Sequence, residues 1–173
     1  MSCSLPELPG EGRLGRVIGV DLGRRRVGVA VSDARRTGAV PYQTLPVAGD
    51  GPDSLDPVLG ALVALVDEIG ATAVVVGLPL ALDGRRTTAA CQAEQAMDRL
   101  RGALGGRTVD VEGIDERLTT VSADRALRDG GRPGRIRRAV VDQVAATVLL
   151  QAWLDAQARR AQRGGHRPGT GGG

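Results

Sequence analysis

Three acidic residues stand where the backbone of this chain is expected to change from one element to the next. Asp21 ends an apolar run that begins at Val17, Glu116 follows the alternating stretch 107–115, and Asp142 lies near the start of a C-terminal helical segment. Clustered carboxylates repel one another, and Mg²⁺ or Mn²⁺ relieves that repulsion because these ions prefer oxygen ligands. Two such ions roughly 4 Å apart can activate a water and stabilise the leaving oxygen of a phosphodiester. The three acids therefore predict a metal site suited to hydrolysis.

The helical position of Asp142 adds to this prediction. The residues three, four, seven and eleven positions further along are Ala145, Ala146, Leu149 and Trp153, which places an apolar face on the same side of the helix. That face should pack against a sheet. A carboxylate buried there without a partner is costly or stays protonated, so we expect a cation or an arginine beside it.

Each acid also has a simpler structural interpretation. Asp21 could cap a turn, because aspartate before glycine is common in hairpins. Glu116 could be a solvated acid paired with Arg117. Asp142 could form an ion pair with Arg138, which precedes it by one helical turn.

Three consecutive arginines follow the first acid. By composition alone, Arg24, Arg25 and Arg26 favour a solvated turn. Beside an acidic metal site they would instead steer phosphate groups. The net charge of +3 is too small to decide between the two interpretations.

The composition excludes several classes of chemistry. All basic side chains other than the single histidine are arginine, so Schiff-base chemistry and the lysine of phosphate-binding loops are absent. His166 lies in a Gly-rich tail, which argues against catalytic triads and zinc hydrolases. With one Tyr, one Trp and no Phe, the chain has no aromatic platform for stacking bases. Cys3 and Cys91 make neither a disulfide framework nor a metal spacing.

The hydrophobic pattern predicts one folded domain over 15–158, with a flexible arm at 1–14 and a disordered Arg/Gly-rich tail at 159–173. Strands are expected at about 17–21, 26–33, 39–47, 72–78 and 107–115, and helices at about 55–69, 87–104, 119–128 and 139–158. An initial hairpin followed by alternating elements indicates a mixed five-stranded α/β sheet with helices on both faces. No membrane span or secretory signal is recognisable, so we expect a cytoplasmic protein.

Four motifs, in this order, carry a family resemblance: GVDLGRRRVGVAVSD, VVVGLPLALDG, DERLTT and VVDQVAATVLLQAWLD. With them the chain resembles the YqgF family, also called RuvX, of Holliday junction resolvase-like nucleases that are implicated in maturing the precursor of the small-subunit ribosomal RNA. The resemblance extends over about 16–155. It implies a ribonuclease H-like fold in which Asp21, Glu116 and Asp142 are the catalytic residues and ligate Mg²⁺ or Mn²⁺.

The same resemblance implies further site residues. Gly77, Pro79 and Gly84 would shape a loop near the site. Nucleic acid would face Arg117 and the cluster made of Arg135, Arg137 and Arg138, in addition to the hairpin residues Arg24, Arg25 and Arg26.

The chain departs from the family pattern at two places. The family usually has Thr or Ser followed by Lys where this chain has Arg24 and Arg25, so a small hydroxyl is replaced by a bulky cation. After the GLPL motif the family usually has Asn-Met, whereas this chain has Ala81 and Leu82. The first change bears on metal geometry or substrate preference, and the second removes a polar side chain from the loop.

Three functions are compatible with these observations. The first is a metal-dependent nuclease acting on structured RNA, such as the 5′ end of pre-16S rRNA, or on branched DNA; a junction cutter would be a homodimer, since it needs two sites. The second is a nucleic-acid-binding factor of ribosome biogenesis or transcription that does not turn over. The third is an actin-like or sugar-kinase domain, which is disfavoured because that fold needs two such domains to enclose a nucleotide.

Overall fold

A computed structural model describes residues 15–49, 51, 53–81, 83, 85–116 and 135–164, with the backbone alone for 135–140. These residues form one sheet and three helices. In chain order the elements are β1 (Arg16–Leu22), β2 (Arg26–Ser32), β3 (Ala39–Pro46), α1 (Asp56–Ile69), β4 (Ala71–Leu78), α2 (Thr88–Ala103), β5 (Asp110–Asp115) and α3 (Arg135–Gly164).

The five strands lie in the order β3-β2-β1-β4-β5, so β1 is central. β1 pairs antiparallel with β2 and β2 with β3, whereas β1 with β4 and β4 with β5 are parallel. The sheet is therefore mixed, as expected. Because β1, β4 and β5 run in the same direction, their carboxyl ends meet at one edge of the sheet, where the β1–β2 hairpin also lies.

Helices cover both faces of the sheet, which explains why the central strands are apolar throughout. Ile18 and Val20 of β1 belong to the core under α1 and α2. Val17 belongs to the core under α3, together with Leu149 and Trp153. Since side chains alternate along a strand, Gly19 and Asp21 lie on the same face as Val17, toward α3.

Glycines allow α3 to lie directly on the sheet. A Cβ built on Gly19 would be 2.7 Å from Cβ of Leu150, and one built on Gly28 would be 2.0 Å from the backbone oxygen of Asp142. Real Cβ atoms do not approach other heavy atoms so closely. Any side chain at these two positions would lift the helix.

Local signals set the ends of the first two helices. Gly70 follows α1 in the left-handed conformation, with φ 61°, and its N–H donates to Val66 O. Thr87 is the N-cap of α2: its hydroxyl accepts a hydrogen bond from Ala90 N at 3.0 Å and donates to Pro79 O at 2.5 Å. The loop that follows β4 is thereby tied to the start of α2.

The last helix is longer than its sequence pattern suggested. Helix α3 begins at Arg135 rather than 139 and ends at Gly164 rather than about 158, so residues 159–164 of the predicted tail are helical. Arg, Ala and Gln are good helix formers, and the helix needs no apolar face once it has passed the sheet. The helix predicted at 119–128 and the arm at 1–14 lie outside the described residues. Within the described residues, no helix has the length and hydrophobicity of a membrane span.

Candidate active site

Asp21 is the first acid of the candidate site, and it is buried, with 4% of its surface exposed. It lies one residue before the end of the central strand, on the face that α3 covers. Its register partner across the β1–β2 hairpin is Gly28. Asp21 therefore lies within the strand ladder and faces a helix.

Glu116 is the second acid, and it is 2% exposed. It follows β5 directly, and its carboxylate lies over Gly77 of β4: a Cβ built on Gly77 would be 2.6 Å from Glu116 Oε1. In the β1–β4 register Val20 faces Val76, so Gly77 and Asp21 are the next residues of the two strands. The missing side chain at Gly77 makes room for the Glu116 carboxylate beside the strand position of Asp21.

Asp142 is the third acid, and α3 brings it to the same end of the sheet. Its backbone oxygen lies against Gly28, the residue that pairs with Asp21. The helix therefore holds position 142 above the strand next to Asp21. The predicted apolar face is confirmed, because Ala145, Ala146, Leu149 and Trp153 are all buried.

An arginine neutralises Asp142, as its half-buried position required. Arg26 Nε donates to Asp142 Oδ2 at 2.9 Å, and the two side chains are 28% and 22% exposed. Arg26 begins β2 and lies on the same face as Gly28 two residues later. The partner thus comes from the hairpin; the Arg138 side chain, the partner considered from helical spacing, lies outside the described part of the chain.

The three carboxylates do not form a shared cluster in this arrangement. Among the residues that the structure describes, no group of three His, Cys, Asp or Glu side chains is placed to hold a metal ion together. The donor set still fits a hard divalent cation, because every donor is a carboxylate oxygen. In this arrangement Asp142 is held by Arg26.

The remaining predicted site residues divide into two groups. Arg24 and Arg25 are exposed at the hairpin tip, at the same end of the sheet as the acids. Their turn is held by Gly23 N, which donates to Arg26 O at 3.0 Å, and by Val47 N, which donates to Arg25 O at 3.0 Å. The second group lies outside the residues or side chains that the structure describes: Gly84, Arg117, Arg135, Arg137 and Arg138.

Sequence reasoning missed Gly28 and the contact between Arg26 and Asp142. Gly28 was not singled out, although a glycine inside a strand pattern signals the close approach of another backbone. Arg26 was grouped with its two arginine neighbours as a phosphate-steering residue. Strand alternation from Asp21 across the hairpin would have placed Arg26, unlike Arg25, on the acidic face.

Comparison with known proteins bears on the family and the fold of this chain. The family model of RuvX, described as Holliday junction resolvase, matches residues 15–156. A Rhodococcus opacus protein is 44% identical over 163 residues, which cover 92% of this chain and 89% of the relative. A Mycolicibacterium smegmatis protein is 44% identical over 171 residues, covering 97% and 96%. Both bear the name "Putative pre-16S rRNA nuclease".

Solved structures show the same fold at low sequence identity. Thermus thermophilus RuvC in complex with a Holliday junction substrate has a TM-score of 0.55 at 14% identity, over 83% of this chain and 96% of that chain. The yeast mitochondrial Holliday junction resolvase Ydc2 has a TM-score of 0.56 at 13% identity, over 86% and 81%. The expected ribonuclease H-like fold is confirmed. With its four motifs lying inside the matched range, the chain belongs to the RuvX family.

Proposed function

We propose that this protein is a metal-dependent nuclease that hydrolyses phosphodiester bonds in structured nucleic acid. The observation that carries the proposal is the convergence of three acids, distant in sequence, on one end and one face of the sheet. Asp21 and Glu116 are buried there on either side of Gly77, and α3 holds Asp142 over the adjacent strand. In this arrangement Arg26 holds Asp142 and the three carboxylates do not share one cluster; a divalent cation would offset the repulsion of bringing them together.

The first candidate substrate is the 5′ end of pre-16S rRNA, since two relatives at 44% identity are named for that precursor. A four-way DNA junction is the second candidate, supported by the family description. A junction cutter needs two sites and hence a homodimer, whereas an RNA trimmer needs only one. Sedimentation of the protein with each substrate distinguishes the two modes of action.

In the proposed mechanism Asp21, Glu116 and Asp142 hold Mg²⁺ or Mn²⁺. The bound cation supplies Lewis acidity toward a phosphoryl oxygen. The chain itself contributes position: the sheet fixes Asp21 and Glu116 under α3, where bulk water is excluded, and the contact at Gly28 fixes the height of Asp142. The exposed guanidinium groups of the hairpin attract the phosphate backbone without reading its bases.

A cleavage panel tests the proposal. Labelled precursor RNA and junction DNA are incubated with Mg²⁺ or Mn²⁺ and the wild type, Asp21→Asn, Glu116→Gln or Asp142→Asn. We expect each variant to lose about 100-fold or more in rate, since even residues that only support a ligand cost 10- to 100-fold. Asp155→Asn is the matched control, because Asp155 is exposed on the same helix, where it accepts a hydrogen bond from Gln151. Undiminished cleavage by folded Asp21→Asn and Asp142→Asn would reject the assignment.

The Arg26–Asp142 ion pair favours a second candidate function, a nucleic-acid-binding factor without turnover. In such a protein Arg26 already compensates the charge of Asp142, so no metal ion would be needed to do so. It would bind RNA with an affinity whose logarithm falls linearly with the logarithm of salt concentration, and it would yield no metal-dependent product. Gel shifts and cleavage assays on the same substrates separate the two functions.

A further inference from the structure

We propose that Arg26 is an internal competitor of the divalent cation: its guanidinium neutralises Asp142 in the metal-free protein and is displaced when metal binds. This inference rests on the proposed metal site and adds a residue that regulates its occupancy. It assigns to Arg26 a positioning role that differs from that of the neighbouring arginines.

The geometry supports an exchange of side chains on a fixed backbone. Arg26 Nε lies 2.9 Å from Asp142 Oδ2, across 116 positions of sequence. The backbone of Arg26 is held in the hairpin, where Gly23 N donates to Arg26 O. The backbone of Asp142 contacts Gly28. The long arginine side chain can therefore swing away while position 142 stays in place.

The two cations compete for one carboxylate. Oδ2 of Asp142 accepts the guanidinium N–H, and a divalent ion bound to the same carboxylate would repel Arg26 at close range, so binding of the one weakens binding of the other. Arginine does not lose its proton in proteins, and it must leave as a cation. The hairpin carries two further exposed arginines, which attract the phosphates of the substrate. One of these phosphates would become the new partner of the Arg26 guanidinium. Metal binding and nucleic-acid binding are then coupled through one side chain.

The hairpin offers a matched control for this role. Arg24 carries the same charge two residues earlier but is exposed at the tip, whereas Arg26 is 28% exposed and touches the carboxylate. Loss of either arginine removes one positive charge from the same end of the sheet. Only loss of Arg26 removes a competitor for Asp142.

The test measures Mn²⁺ binding in the absence of nucleic acid. Binding is monitored by calorimetry and by the electron paramagnetic resonance signal of the free ion. We expect Arg26→Gln to bind Mn²⁺ about fivefold more tightly than the wild type, since a partly exposed ion pair is worth about 1 kcal/mol. Arg24→Gln should differ from the wild type by less than about twofold, because an exposed charge is screened. Equal or weaker Mn²⁺ binding by folded Arg26→Gln overturns the proposal.

A second measurement on the wild type keeps the test independent of how Arg26→Gln folds. The Nε–H resonance of Arg26 is identified as the one missing from Arg26→Lys, and it should shift as Mg²⁺ is added. A resonance that stays unmoved while Mg²⁺ saturates the protein overturns the exchange.

The outcomes also separate this inference from the proposed function. If Mn²⁺ binds to the wild type and Asp21→Asn abolishes that binding, the metal site stands whether or not Arg26 competes for it. If neither the wild type nor Arg26→Gln binds Mn²⁺ at millimolar concentration, both proposals fail.

Discussion

Gly77→Ala is the sharpest probe of the candidate site, because it disturbs one acid without touching its charge. The Cβ of alanine at this position would lie 2.6 Å from Glu116 Oε1 and 2.5 Å from Leu149 Cδ1. Both are the far ends of flexible side chains. Gly77 does not have a positive φ, so its backbone conformation itself accepts alanine.

The size of the effect follows from these distances. An ordinary contact begins near 3.4 Å, so the Glu116 carboxylate must retreat by about 0.8 Å and the Leu149 methyl by about 0.9 Å. Overpacking of this kind costs about 1–3 kcal/mol of folding free energy, and a domain of normal stability survives it. A displacement near 1 Å at a reacting centre costs about 100-fold in rate. The predicted result is a folded protein with about 1% of wild-type cleavage.

The assay measures single-turnover cleavage, Mn²⁺ binding and urea denaturation on the same preparations. Gly60→Ala is the control, because Gly60 is exposed within α1 and a Cβ added there would meet nothing within 4 Å. That substitution should stabilise the fold by about 1 kcal/mol through helix propensity and leave cleavage unchanged. Wild-type cleavage by folded Gly77→Ala would refute the placement of Glu116 in the active site.

Three further predictions concern stability. Gly28→Ala should cost about 3 kcal/mol or more in urea denaturation, because its Cβ would lie 2.0 Å from the rigid backbone oxygen of Asp142; a cost below about 1 kcal/mol would contradict the seating of α3. A hydrogen-bonded Arg107 lowers the pKa of Asp67 below its usual 3.8, so this stabilisation is present above that pH and is lost as the pH falls through the lower folded-state value. Asp67→Asn should accordingly lower the Tm at neutral pH but not at about pH 2, and an equal loss at both would argue against the pair. Gly70→Ala should cost about 1 kcal/mol in thermal denaturation through its left-handed φ of 61°, and no change would contradict that cap.

Much of the fold was predictable because its signals are local. The valine runs of β1 and β4 indicate strands buried on both faces, and the glycine that ends α1 follows a clear helical period. The family motifs added the ribonuclease H-like arrangement, which composition and periodicity left open. The end of α3 was predicted too early because the apolar period stops near residue 158, whereas helix propensity continues to Gly164.

The electrostatic partner of Asp142 could not be predicted from the residues near it in sequence. Helical spacing offers only neighbours on the same helix, which is why Arg138 was considered. The observed partner, Arg26, lies 116 positions away and becomes adjacent only when α3 is laid across β2. Which arginine of three faces the helix depends on the hairpin register, and the one-residue alternation of a strand decides it.

The way α3 rests on bare peptide backbone has a mechanical consequence. Its supports, under residues 142 and 150, are about 12 Å apart along the helix axis. A helix in contact with the sheet at two such points can neither tilt about its first turn nor shift along the sheet without a steric clash at one of them. The height of the residue 142 backbone above the sheet is thus set by the thickness of a peptide unit.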